Sequence, residues 1–396
     1  MNRIAYVCTD PGIPVFGSKG ASVHVQAVVR ELRRRGAEVH LVAARIGGDL
    51  PRDLDGVVVH ELPTIEGSPG LGREQSAQQS ARAAADVLAR LHHDAPVDLV
   101  YERYSLWSDA AMTWAQDHAV ASVLEVNAPL IDEQSEHRVL ADRAGAEAVA
   151  TRAFDAAGSV ITVSAPVARW VTARTHNHEV HVVPNGVDTR FIRPSTKGAG
   201  SPFVIGFVGT LKPWHGLEVL LEAFTRLART DESTRLRLVG HGPQYAALAA
   251  QADELGIAHR VDLVGAVAPQ EMPAQLAAMD IAVAPYPQLP DFYFSPLKLY
   301  EYLAAGLPVV ASDIGPCAEI LDGGALGVLV TPGDATELAA ALAGLRSAPH
   351  QRAELGQMGR RAAESRHDWS LVVSRILATV PTPTRSLADD LLGRIA

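Results

Sequence analysis

Through the first half of the chain, short apolar runs alternate with longer amphipathic stretches, the mark of parallel strands joined by helices. Arg3 to Cys8, Glu38 to Val42, Asp98 to Tyr101, Ser122 to Val126, Ser159 to Thr162 and Val180 to Val183 read as strands. Helical periodicity fills the gaps, notably from Ala21 to Arg35, closed by Gly36, and over a long stretch from about Ile131 to Asp155. A polar stretch, Arg193 to Ser201, reads as a linker. A second series of strands follows at Phe203 to Phe207, Arg235 to Val239, Val261 to Leu263, Ile281 to Ala284, Val309 to Ala311 and Gly327 to Val330. The pattern predicts an α/β chain of two doubly wound, Rossmann-like domains, residues 1–195 and 202–367. A C-terminal piece, 368–396, carries a helix from His367-Asp368-Trp369 to about Ala378 and a tail from Pro381. In such sheets ligands bind beyond the carboxyl ends of the strands, so the strand-to-helix loops are where chemistry is expected.

At 396 residues the chain is long enough for two domains of roughly 180–200 residues, each with its own core. A formal charge of −10 disfavours nucleic acid as a partner, because phosphate backbones are held by clustered Lys and Arg. The one tight basic run, Arg33-Arg34-Arg35, falls where it complements a helix dipole. Cys8 and Cys317, the only cysteines, provide neither a disulfide framework nor a zinc site built on cysteine. No His and Asp/Glu cluster has metal-ligand spacing, no apolar stretch is long enough to span a bilayer, and the N-terminus runs straight into a strand. A cytoplasmic protein that needs no metal is therefore expected. The lack of a clear basic amphipathic helix leans away from an anionic membrane surface, while peripheral contact with a membrane and the oligomeric state stay open. There is no GxSxG elbow and no Walker lysine loop.

The most informative segment is Phe292 to Ser312, FYFSPLKLYEYLAAGLPVVAS. Ser295 suits a helix N-cap and Pro296 the first helical position, so Leu297, Lys298 and Leu299 follow with free backbone N–H groups. Where a capping box would place Glu or Gln stands Lys298, a cation at the positive end of the helix dipole. Such a choice costs stability unless an anion arrives, and it reads as a phosphate site. Glu301, one turn on, is placed to accept hydrogen bonds from paired ribose hydroxyls. Lysine is scarce in this chain, limited to Lys19, Lys197, Lys212 and Lys298, which makes a lysine inside a motif more noteworthy.

This segment closely resembles the donor-binding segment of the family-4 retaining glycosyltransferases, and the likeness runs over nearly the whole chain. It includes FGSKGASVHVQ, VPNGVD at Val183 to Asp188, FVGTLKPWHG at Phe207 to Gly216, LVGHGP at Leu238 to Pro243 and VAPYP at Val283 to Pro287. The resemblance implies a GT-B fold and a C-terminal helix that crosses back to the first domain. It further implies a nucleotide-diphosphate sugar as co-substrate, an acceptor molecule, no cofactor and no metal. In the resembling family the loop holding Gly17 and Lys19 lies over the donor diphosphate and the acceptor. Gly209, Thr210, Lys212 and His215 fall on the donor-binding loop of the second domain, Gly240 and His241 on the wall beside the nucleotide, and Tyr293, Ser295, Leu297, Lys298 and Glu301 on the donor segment, with Glu319 in a nearby loop.

Three departures from the family pattern matter. Thr210 stands where an arginine is common and His215 where a lysine is common, which leaves Lys212, His215 and Lys298 to supply positive charge; a histidine can donate to phosphate. Tyr293 falls where the first of the family's paired glutamates holds the transferred sugar, with Asp291 near enough to compensate if the loop shifts. Asn127 stands where related enzymes often place a histidine near the reacting sugar. An amide can hydrogen-bond a sugar but cannot act as a general base. That suits a retaining mechanism in which the departing diphosphate oxygen takes the acceptor proton.

Asn127, Lys298 and His215 are thus the catalytic candidates, and Lys19, His24, Glu102, Arg103, Tyr104 and Asn127 the acceptor-facing ones. From the residues alone, His24 reads equally as a satisfied core histidine, Glu102 and Arg103 equally as a buried ion pair, Trp214 as a packing residue and Asn185-Gly186 as a turn. The expectation is a retaining hexosyltransferase acting on a small soluble acceptor. Acceptors of the cell envelope, lipid or polysaccharide, are the alternative within that class. A GT-B nucleotide-sugar isomerase or hydrolase and a degenerate nucleotide-binding module are the rivals outside it.

Overall fold

The computed structural model describes residues 2–194, 202–229, 232–290 and 292–381. The chain separates into two compact units, one formed by the chain up to Pro184 together with the chain from Val373 onward, the other by Asn185–Val372. The division after Pro184 lies upstream of the polar stretch read as a linker, of which 195–201 fall outside the described residues, as does most of the tail.

The first unit holds a seven-stranded sheet of β1 (Arg3–Cys8), β2 (Glu38–Ala43), β3 (Val58–Glu61), β4 (Leu99–Arg103), β5 (Ala121–Val126), β6 (Ser159–Thr162) and β7 (Val180–Val182). Their order is β3-β2-β1-β4-β5-β6-β7, and every pairing is parallel. The central strands are buried along their length because helices cover both faces, which is why they read as continuous apolar runs. β3 escaped the apolar pattern because it is an edge strand, with Val58 43 % exposed.

The long helix expected from Ile131 to Asp155 is in fact two, Leu130–His137 and Arg143–Ala156. The break is built from capping: the Asp142 side chain accepts the Gly145 N–H at 2.8 Å as N-cap of the second helix. The buried Glu74 carboxylate accepts the Ala141 and Asp142 N–H groups at 2.7 and 3.0 Å. Periodicity cannot register this, since Glu74 comes from the distant Leu71–Asp94 helix.

The second unit holds a six-stranded parallel sheet of β8 (Phe203–Val208), β9 (Thr234–Val239), β10 (Val261–Gly265), β11 (Ile281–Ala284), β12 (Val309–Ser312) and β13 (Val328–Val330), in the order β10-β9-β8-β11-β12-β13. Alternate residues serve two cores. Ile205, Phe207 and Val283 pack with the Leu217–Ala228 and Ala335–Ser347 helices, while Val204, Val208 and Ala282 pack with the Leu297–Ala304 helix. The final Trp369–Ala378 helix starts in this unit, where Asp368 accepts the Thr189 hydroxyl at 2.5 Å. Its later residues belong to the first, where Arg35 Nη2 donates to Ser374 Oγ at 2.7 Å.

Both sheets have the doubly wound order in which the chain turns outward on either side of the first strand, so each has a switch point at the carboxyl ends of β1 and β4, or of β8 and β11.

Candidate functional site

In the second unit, the loop leaving β8 begins at Gly209, whose φ of +145° is open only to glycine, and a Cβ there would stand 3.0 Å from Lys298 Nζ. Lys298 sits in the first turn of the Leu297–Ala304 helix and is 8 % exposed. Its Nζ has no hydrogen-bond partner and lies 4.1 Å from the ring centre of Phe207 and 5.3 Å from that of Tyr286. Aromatic faces attract an ammonium but do not satisfy its three donors. Burial accordingly pushes Lys298 down to about 7, against the smaller opposing pull of Cys317 and Glu301. Burial pushes the Glu301 carboxyl up to about 7, with Lys298 pulling the other way.

The helix start differs from the sequence expectation. Pro296 occupies the N-cap position and Ser295 does not cap. The Ser295 hydroxyl instead accepts the Asn185 N–H at 3.2 Å and meets the Tyr300 hydroxyl at 3.1 Å, while the Asn185 side chain donates to the Ser295 carbonyl at 2.9 Å. Asn185 is therefore a tether for the segment before the helix, beyond its part in a turn. Leu299 N–H is bonded to the Pro296 carbonyl at 3.0 Å, so Leu297 and Lys298 carry the helix's first open N–H groups.

His215 lies beside Phe207 and Tyr286, with ring centres 5.5 and 5.7 Å away. Its Nδ1 is 2.6 Å from the Thr210 carbonyl, and an oxygen acceptor requires a proton on that nitrogen. Burial and the charges of Lys298 and Lys212 push His215 down to about 3, the Thr210 carbonyl resisting, so the ring is neutral and Nε2 carries a lone pair. In the free protein Nδ1–H is already engaged, so Nε2 can donate to phosphate only when a proton is taken up.

Thr210 is exposed, and Lys212 places its Nζ 5.1 Å from the Trp214 ring centre, away from a role as a buried cation. Gly240 and His241 follow β9, with His241 stacked on Tyr245 at 5.0 Å. Tyr293 packs on Phe294 at 4.3 Å, Glu319 is exposed, and Asp291 lies outside the described residues. Lys298, Gly209 and His215 are therefore brought together around Phe207 and Tyr286.

In the first unit the predicted residues converge on one that was not singled out. Glu125, 2 % exposed near the end of β5, accepts Asn127 Nδ2 at 2.9 Å on Oε1 and the Tyr101 hydroxyl at 2.5 Å on Oε2, and His24 Nε2 lies 2.6 Å from Oε1. Burial alone would raise its carboxyl, yet His24, Arg103 and Tyr101 hold it down to about 2. A signal was present: a glutamate inside an apolar buried strand needs partners. His24 is 3 % exposed, buried beside Glu125.

Glu102 and Arg103 are consecutive on β4 and leave opposite faces, and no ion pair joins them, which corrects that reading. Glu102 is fully buried, both its oxygens lack hydrogen-bond partners, and burial pushes it up to about 7. Tyr104 packs against Phe154 and Trp170 with its hydroxyl buried and unpartnered. Gly17 closes a turn on the Pro14 carbonyl at 2.8 Å, where a Cβ would come within 2.8 Å of the Pro14 ring. Lys19 is the exposed residue preceding the Gly20–Arg34 helix. Among the described residues no group of His, Cys, Asp and Glu is arranged to hold a metal ion, and no helix is long and apolar enough to cross a membrane.

Comparison with known proteins adds the following. The model described as Glycosyltransferase Family 4 matches residues 18–191, and that described as Glycosyl transferases group 1 matches residues 202–347. An MMP alpha-(1->4)-mannosyltransferase of Mycolicibacterium hassiacum is 34 % identical over 207 residues, which is 50 % of this chain but only 47 % of that relative. D-inositol 3-phosphate glycosyltransferase 2 of Catenulispora acidiphila is 28 % identical over 401 residues, covering 93 % of this chain and 91 % of the relative. Among solved structures, sucrose-phosphate synthase from Thermosynechococcus elongatus superposes with a TM-score of 0.72 at 17 % identity, covering 100 % of both chains. The Anabaena HepE protein in complex with UDP-glucose gives 0.71 at 21 % identity, covering 96 % of this chain and 99 % of that one.

Proposed function

The chain belongs to glycosyltransferase family 4 and has the GT-B fold, and from that premise we propose that it is a retaining, metal-independent hexosyltransferase using a nucleotide-diphosphate sugar. The observation that supports this reading is Lys298: a buried ammonium without a hydrogen-bond partner, one residue into a helix with two open N–H groups, beside a glycine loop at the sheet's switch point. A diphosphate supplies what each of these groups lacks.

In this reading one lysine on the helix takes over from the loop cations that Thr210 and His215 do not provide. The acceptor hydroxyl oxygen bonds to the anomeric carbon on the face from which the diphosphate departs. The bond from that carbon to the diphosphate oxygen breaks, and the departing oxygen takes the hydroxyl proton. Lys298 and the helix N–H groups stabilise the charge that develops on the leaving group. Glu301 accepts from the ribose. The test is calorimetric titration with UDP, GDP and ADP in the absence of metal. Binding of one of them, weakened far more than nucleoside binding by Lys298→Ala, is the expected result. Binding of none would overturn the reading.

A further inference from the structure

We propose that the carboxyl end of the first unit's sheet is an oxyanion site with Arg103 as its cation, and that the acceptor is a small polyhydroxylated molecule bearing a phosphate or a carboxylate. The inference rests on the transferase reading only in calling the ligand an acceptor.

Arg103 ends β4 in register with Glu125 on β5, so the two side chains leave the same face of the sheet. An arginine beside a buried carboxylate is ordinarily its ion-pair partner. Here the carboxylate already accepts from Asn127 and Tyr101 and has His24 Nε2 2.6 Å away. No hydrogen bond or ion pair joins the Arg103 guanidinium to any described residue, and its Nη1 is buried. The charge nevertheless acts across this face, lowering Glu125 and opposing the upward shifts of Tyr6, Tyr101 and Cys8. Leaving a guanidinium donor buried without an acceptor is unfavourable, and its planar fork matches a carboxylate or phosphate two bonds at a time.

Asn127 adds the second half of the argument. A carboxylate only accepts, so the amide must turn its Nδ2 toward Glu125, which leaves Oδ1 as a buried acceptor with no donor. The face therefore presents an unpaired cation and, two residues along the chain from that cation's partner in register and just past the end of β5, an unpaired acceptor. A neutral polyol would satisfy Asn127 and could accept from Arg103, but would leave its charge uncompensated; an anion without hydroxyl donors would compensate Arg103 and leave Asn127 without a donor. A hydroxylated molecule carrying an oxyanion satisfies both.

The experiment is calorimetric titration of the full chain with inorganic phosphate and, separately, acetate. Because phosphate also suits Lys298, the titrations use Lys298→Met as the background. In that background phosphate binding is expected to persist and to weaken about 10–100-fold on adding Arg103→Gln, with Arg103→Lys intermediate because it keeps the charge and loses the fork. Should the glutamine variant fail to fold, the lysine variant makes the same comparison. Phosphate binding that is the same with and without Arg103, or absent from the Lys298→Met protein at millimolar concentration, overturns the site. Stronger binding of phosphate than of acetate upholds it and names a phosphate-bearing acceptor; the opposite preference upholds it and names a carboxylate. Nucleoside diphosphates titrated into the wild-type chain report separately on the transferase reading, which fails if none binds even where the phosphate site stands.

Discussion

Glu125 and Lys298 are both buried charges near the switch point of a parallel sheet, one in each unit, and they respond to burial in opposite ways. Glu125 has two hydrogen-bond donors and a histidine nitrogen 2.6 Å away, and is held to about 2, more firmly ionised than a carboxylate in water. Lys298 has two aromatic faces and no acceptor, and is pushed down to about 7, toward its neutral form. Glu102, buried and equally without partners, is pushed up to about 7. Burial alone discharges a group; only dedicated partners keep it charged. Glu125 is completed from within its own unit, whereas Lys298 is left to be completed from outside, which is what a binding site for a charged ligand requires.

Replacing each charge by an apolar side chain breaks the comparison most severely. Glu125→Leu strands the Asn127 and Tyr101 donors and leaves His24 without its carboxylate neighbour, and is expected to destabilise the chain by about 3–5 kcal/mol, measured by urea unfolding. Lys298→Met removes a buried group with nothing to strand, so the ligand-free protein should lose no stability, while nucleoside-diphosphate affinity falls about 10–100-fold. Equal destabilisation by the two variants would show that Lys298 is structural.

The same contrast appears in the pH dependence of stability. Unfolded, Lys298 titrates near 10.5; folded, near 7. Between those values the unfolded chain holds the extra proton, so the free protein gains stability as pH rises from about 7 to 10.5, and Lys298→Met removes that gain. Glu125 titrates near 4.5 unfolded and about 2 folded; its contribution is complete above about pH 4.5 and is lost as pH falls toward 2. Unfolding midpoints across both windows, wild type against each variant, measure the two slopes. A diphosphate should raise Lys298 again, so its binding takes up protons and weakens above about pH 7, which calorimetry in buffers of different ionisation heat detects.

The strands and the donor helix were legible because their signals are local: continuous apolar runs, and Lys298 where a capping box would put an acid. What failed to show was tertiary. Ser295 looks like a cap until Asn185, 110 residues away, claims its hydroxyl and carbonyl. For His215, the sequence does not show that the Thr210 carbonyl already accepts its Nδ1–H. The helix read from Ile131 to Asp155 is broken by Glu74 acting from another helix. Glu125 is the clearest case, since His24 and Tyr101 reach it from a helix and a strand remote in sequence, and only the oddity of a glutamate in SVLEVN marks the place.

The mildest perturbation is the most discriminating. Tyr101→Phe keeps the ring that stacks on Tyr6 at 5.1 Å and removes one of the two hydrogen bonds to Glu125. Nothing else changes shape, so the loss should be near that of a single hydrogen bond to a charged acceptor, about 1.5–3 kcal/mol, and below that of Glu125→Leu. Because Tyr101 is one of the groups holding the carboxylate down, the variant should also move the acid unfolding limb to higher pH, as Glu125 protonates earlier on the way down. A loss of stability with no such shift would mean that Tyr101 contributes packing alone, and that His24 and Asn127 suffice to keep Glu125 charged.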